Sequence, residues 1–189
     1  MNTKSKIRRP VVAGTFYPAD MEELRDMILN MLKDSGSEQI KGDIIGIISP
    51  HAGYIYSGKV AAEAYKQVQS YVYDNVIVIA PSHFEYFYGC SIYYGEYETP
   101  LGVVNTNIEM AEAIVANSSI ILDSVKGHMQ EHSLEVQIPF LQIALGNFKL
   151  IPVVMGSQDY STAEDLSTAI CTVLTDTSFE NQSNLIIGS

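Results

Sequence analysis

The sequence predicts an α/β fold, a mostly parallel β-sheet flanked by helices. Three observations point there. Short apolar runs rich in Ile and Val, at 44–48, 76–80, 149–155 and 185–187, suit buried strands. Longer segments with helical spacing of apolar residues fall between them. The first two runs also share an ending: proline closes the strand and histidine follows, as Ser49-Pro50-His51 and Pro81-Ser82-His83. Open α/β sheets bind ligands at the carboxyl ends of their strands, where those two histidines would stand.

Taken in order, residues 1–9 read as a flexible arm. Residues 9–18, bounded by Pro10 and Pro18, are too apolar to hang in solvent and should pack as an ordered loop. Asp20 is placed to cap a helix, with Glu22 and Glu23 in its first turn and Leu24, Met27, Ile28, Met31 and Leu32 on one face. After His51, residues 57–71 carry Val60, Ala61, Ala64, Tyr65 and Val68 at helical spacing. Strand, helix and strand over 44–80 imply parallel strands and a right-handed crossover. Residues 90–97 suit an added strand, and Thr99-Pro100-Leu101-Gly102 a turn. Asn107 should cap a helix through Ile114, and 120–125 form a short strand. Helical spacing resumes from Leu134 and stops at Gly146-Asn147, with Pro139 tolerable in the first turns. Ser161 or Thr162 should cap the helix carrying Leu166, Ile170 and Val173. The last strand ends where its loop should begin, so further chain is expected after Ser189.

At 189 residues the chain is expected to form a single domain over 1–189 with a real core. Its net charge of −11 disfavours nucleic acid and anionic membrane as partners, because neutralising phosphate needs clustered Lys and Arg. The one basic group, Lys4, Lys6, Arg8 and Arg9, reads as a solvated arm. Cys90 and Cys171 form no C-x-x-C pair, so both are expected as buried small residues in a reducing compartment. No apolar run approaches the ~18 residues of a membrane span, and the N-terminus has no hydrophobic signal core. A cytoplasmic location follows. Oligomeric state is not legible.

All four histidines fall in loops. His51 and His83, from adjacent strand ends, suit two ligands of one divalent metal, since imidazole favours Fe, Zn, Cu or Ni. They equally suit strand-end caps. Glu131 and His132 read as an acid/base or carboxylate–histidine pair near that metal. The same stretch also reads as a helix start, with Ser133 as cap and Glu135 in the first turn. His128 is expected in solvent. Phe84, Tyr86, Phe87, Tyr88, Tyr54 and Tyr56 suit either a pocket lining or core. No phosphate loop is present.

Five stretches in order resemble the Memo family, also called AmmeMemoRadiSam system protein B. They are Arg9–Asp20 (R-P-V-V-A-G-T-F-Y-P-A-D), Ser49–Gly58 (S-P-H-A-G-Y-I-Y-S-G), Ala80–His83 (A-P-S-H), Glu131–Glu135 (E-H-S-L-E) and Ile151–Gly156 (I-P-V-V-M-G). The resemblance implies the fold of class III extradiol dioxygenases, which are non-haem iron enzymes. It implies His51 and His83 as metal ligands, a third ligand cysteine far towards the C-terminus, and a further histidine in an S-S-D-x-x-H segment. Neither Cys90 nor Cys171 matches that cysteine, and the sequence stops at Ser189 as the histidine segment would begin, so a truncated copy is expected. For the family's reaction it leaves dioxygenase chemistry, iron- or copper-dependent redox chemistry and phosphotyrosine-peptide binding open. A metal-site protein, with a small molecule or peptide in its cleft, is therefore set against a non-catalytic module that binds peptides or small anions in the same cleft. A third reading has the chain folding poorly alone.

Overall fold

A computed structural model describes residues 7–189, so Lys4 and Lys6 lie outside the described residues. In chain order the elements are β1 (Ile7–Arg8), α1 (Met21–Asp34), β2 (Gly46–Ile48), α2 (Tyr54–Val68), β3 (Asn75–Pro81), β4 (Cys90–Ile92) and β5 (Glu96–Thr99). They continue as β6 (Gly102–Val104), α3 (Ile108–Ala116), β7 (Ile121–Asp123), α4 (Gln137–Leu145), β8 (Lys149–Met155), α5 (Tyr160–Leu174) and β9 (Asn184–Gly188).

A six-stranded sheet in the order β2-β9-β3-β8-β4-β7 carries the fold. Its first four strands are parallel, and β4 turns antiparallel to β8 with β7 alongside it. The expected mostly parallel α/β sheet is what forms. Val76, Val78 and Ala80 of β3 join the core layer of α1, α2 and α4, while Ile77 and Ile79 join that of α3 and α5. A strand covered on both faces has no place for alternation, which is why its sequence is apolar throughout. A smaller sheet, β1-β5-β6, ties the N-terminal strand to a hairpin.

Several expectations are corrected. The first run does not make a buried strand: β9 inserts between β2 and β3, leaving β2 at the sheet edge with Ile45 and Ile48 77% and 88% exposed. The stretch 90–97 divides between β4 and β5, in different sheets. Asp20 and Asn107 cap their helices as expected, but Asp159 caps α5 by accepting from Thr162 N. Ser133 caps nothing; its hydroxyl donates to Pro81 O at 2.8 Å and α4 starts later, at Gln137. Cys90 is buried, whereas Cys171 is exposed. Arg8 is buried too, against the expectation of a solvated arm. Among the described residues, no helix is long and apolar enough to cross a membrane.

Gly89 fixes the approach of the start of β4 to the chain entering β7. Its φ is +79°, and an added Cβ would meet the Ile120 carbonyl oxygen at 2.1 Å, a backbone atom that cannot swing away. Its own carbonyl accepts from Gly156 N at 2.9 Å. Gly89→Ala is therefore expected to lower the unfolding free energy by about 1–3 kcal/mol, read as an earlier urea midpoint.

Candidate metal centre

Three histidines meet at the carboxyl edge of the parallel strands. Pro50 ends the reach of β2 and presents His51 before α2 begins at Tyr54. His83 follows β3 after Ser82, whose backbone N–H donates to Met155 O. His132 comes from the loop ahead of α4. The ring centroids of His83 and His132 lie 4.7 Å apart, those of His51 and His83 5.2 Å, and those of His51 and His132 6.0 Å. Imidazoles that share one ion at metal–nitrogen distances of roughly 2.0–2.1 Å place their centroids roughly 4.5–5.5 Å apart. Ligand atoms of His83, Glu131 and His132 all fall within 4.8 Å of one another, a group that could hold a metal ion and that does not include His51.

Glu131 is 2% exposed, and its carboxylate is crowded with donors. One oxygen accepts from the backbone N–H of His83 at 2.5 Å. The other accepts from His83 Nδ1 at 3.0 Å, His132 N at 2.9 Å and Ser133 N at 3.0 Å. Burial pushes this carboxyl up, yet the donors from His83 and Ser133 together hold it below the ordinary range. It is an anion at pH 7. Because a carboxylate only accepts, His83 must present Nδ1–H to it.

Burial lowers the pKa of His51, and the neighbouring His83 and His132 lower it further against the opposing pull of Glu131. For His132 burial also dominates, with Glu131 opposing it and His83 adding to it. Both rings are neutral at pH 7, the form a metal ligand or proton acceptor needs. They border an open cleft of about 920 Å³ whose walls include Phe16, Ile48, Tyr56 and Val60. Phe16 packs on His132 with centroids 4.9 Å apart, and Phe84 approaches the same ring at 5.9 Å. Tyr56 thus lines the cleft, while Tyr54 is core and Tyr86 and Tyr88 are exposed.

Beneath the cluster lies a buried network that sequence reading missed. Arg8 forms an ion pair with Glu135 and donates to His128 O at 3.0 Å and Glu131 O at 2.6 Å. Glu135 also accepts from Val11 N, Val12 N and the Tyr17 hydroxyl. His128, expected in solvent, is 1% exposed, with Nδ1 2.7 Å from the Tyr97 hydroxyl and Nε2 3.2 Å from Ser91 O. The N-terminal stretch thus grips the 128–135 loop from below. Glu135 had shown only as a first-turn acid. Nothing local in the sequence links Arg8 to it.

Burial drives the His128 pKa down to about 3, the Ser91 carbonyl opposing and Arg8 assisting. Unfolded, the ring titrates near 6.5. Between those values the unfolded chain holds a proton that the folded chain lacks, so stability falls as pH falls, by up to about 1.4 kcal/mol per unit. Urea midpoints from pH 7 to 3 are expected to drop steeply in the wild type and less so in His128→Gln.

A family model described as Memo-like protein matches residues 8–189. The chain belongs to the Memo-like family. It is 39% identical over 165 residues to a MEMO1 family protein of Thermoplasma acidophilum, covering 86% of this chain and 61% of that one. It is 40% identical over 173 residues to one from Nitrosopumilus maritimus, covering 88% and 63%. With one from Methanothermobacter thermautotrophicus it shares 41% over 179 residues, covering 90% and 65%. This Memo-like chain thus spans a little under two thirds of the length of these relatives.

Proposed function

We propose that the histidine cluster is a metal centre in which His51 and His83 hold one iron or copper ion, for redox or dioxygenase-like chemistry on a small molecule. The closeness of the His51 and His83 rings past two strand ends, centroids 5.2 Å apart, with His132 and a buried carboxylate beside His83, is the observation that carries this reading. The donor set fits: imidazole suits both metals. Glu131 supports His83 by accepting its Nδ1–H, while Oε2, which meets one donor, keeps an acceptor site on the side of the cluster group it shares with His83 and His132. Such an ion supplies one-electron redox chemistry and open coordination positions. His132, neutral and facing the same space, takes or returns a proton on a cleft-bound molecule, and Glu131 steadies the charge that forms. Phe16, Tyr56, Ile48 and Val60 present apolar and aromatic surface to that molecule and exclude water from one side. Two free thiols agree with a cytoplasmic setting.

The second reading is a non-catalytic module that takes peptides or small anions in this cleft. Its support is the cleft's openness to an exposed, partly aromatic rim at Ile48, Tyr56 and Val60. Anaerobic titration with Fe(II), and separately with Cu(I), decides between them. One saturable site per chain, removed by a chelator, is expected. Ligand binding that persists after chelation and after replacement of His51 and His83 supports the module instead.

A further inference from the structure

Ser189, at the end of β9, stands among the imidazoles, and its hydrogen bonds admit one consistent direction. Gln137 is 1% exposed, and its Nε2 lies 3.1 Å from Pro50 O, which can only accept. The amide nitrogen therefore faces that carbonyl, and Oε1 takes the Tyr65 hydroxyl proton at 2.6 Å. The second N–H of Gln137 is directed at Ser189 Oγ, 2.8 Å away. Ser189 Oγ also lies 3.0 Å from Ser133 O, another pure acceptor, so its single proton goes there. What remains on Oγ is a lone pair, and His51 Nδ1 sits 3.2 Å from it. That nitrogen must carry the hydrogen.

We infer that Ser189 is a positioning residue for His51, holding its imidazole as the Nδ1–H tautomer and leaving Nε2 bare to ligate a divalent transition-metal ion. The inference rests on reading the cluster as a metal centre. It gives His51 the same arrangement that Glu131 gives His83, but from a neutral hydroxyl just past β9. The backbone keeps the hydroxyl in place, since Ser189 N donates to Ile79 O at 2.9 Å, across β3. Gln137 matters one step further out: its N–H takes one lone pair of Oγ and leaves the other for His51.

The test uses ring-¹⁵N-histidine protein, metal-free at pH 8, with long-range proton–nitrogen correlation to read each tautomer. Wild type, Ser189→Ala and Ser189→Thr are compared, and each is then titrated with Co(II), followed by its visible bands. His51 is expected as Nδ1–H in wild type and in Ser189→Thr, which keeps the hydroxyl. In Ser189→Ala it should move to Nε2–H, and Co(II) affinity should fall roughly 10–100-fold. His83, whose partner is unchanged, should remain Nδ1–H in all three and report that the site is intact. Nε2–H in the wild type, or one tautomer and one affinity across wild type and Ser189→Ala, overturns the inference while leaving the metal reading in place. A tautomer that follows Ser189 in a protein that takes no Co(II) supports the positioning and overturns the metal reading.

Discussion

Arg8→Met is expected to lower the unfolding free energy by about 3–5 kcal/mol, the range for stripping one partner from a buried ion pair. Arg8 is 2% exposed and Glu135 is fully buried. Without the guanidinium, Glu135 keeps, among the described residues, the neutral donors Val11 N, Val12 N and the Tyr17 hydroxyl. The carbonyls of His128 and Glu131 lose their donor at the same time, and the Tyr97 ring loses the cation stacked 5.3 Å from its centroid. Met fills the stem's volume, so packing contributes little to the loss. The double variant Arg8→Met/Glu135→Leu should cost clearly less than the two single changes added, since no buried charge is then left alone. Equilibrium urea unfolding of the four proteins measures this. A loss under 1 kcal/mol for Arg8→Met would mean that the pair is open to water.

The double variant His51→Ala/His83→Ala is expected to weaken divalent transition-metal binding by more than about 100-fold, beyond the loss typical of a supporting residue. The fold should survive. The His83 side chain is 41% exposed, and Glu131 retains the backbone donors of His83, His132 and Ser133 after the ring is gone. Substitutions at such partly open positions usually stay near or below about 1 kcal/mol. Zn(II) competition against a chromophoric chelator gives the affinity, and the urea midpoint gives the fold. Unchanged affinity in a folded double variant would remove both histidines from any metal role.

The fold was legible where sequence signals are local. Apolar strands such as 149–155 and caps such as Asp20 and Asn107 follow from period and chemistry within a few residues. The strand–proline–histidine ending placed His51 and His83 correctly at one sheet edge, and Glu131 and His132 do lie beside them. What stayed hidden depends on contacts distant in sequence. β2 reads like a central strand, and only the insertion of β9 puts it at the edge. Arg8 reads like an exposed arm because its partner Glu135 lies 127 residues away. His128 reads like a loop histidine because Tyr97 and Ser91, which enclose it, belong to other elements. Ser189 marks only where a histidine segment would begin; its link to His51 comes from Gln137, Ser133 and His51 meeting at one hydroxyl.

The most direct test of the histidine cluster as a metal centre is X-ray absorption at the edge of the bound iron or copper, on the chain loaded to one ion. Scattering characteristic of two or more imidazoles, with no sulfur near the ion and a pattern lost in His51→Ala/His83→Ala, is the expected result. An ion surrounded by oxygen alone or bound through sulfur, or a spectrum that the double replacement leaves unchanged, would contradict it.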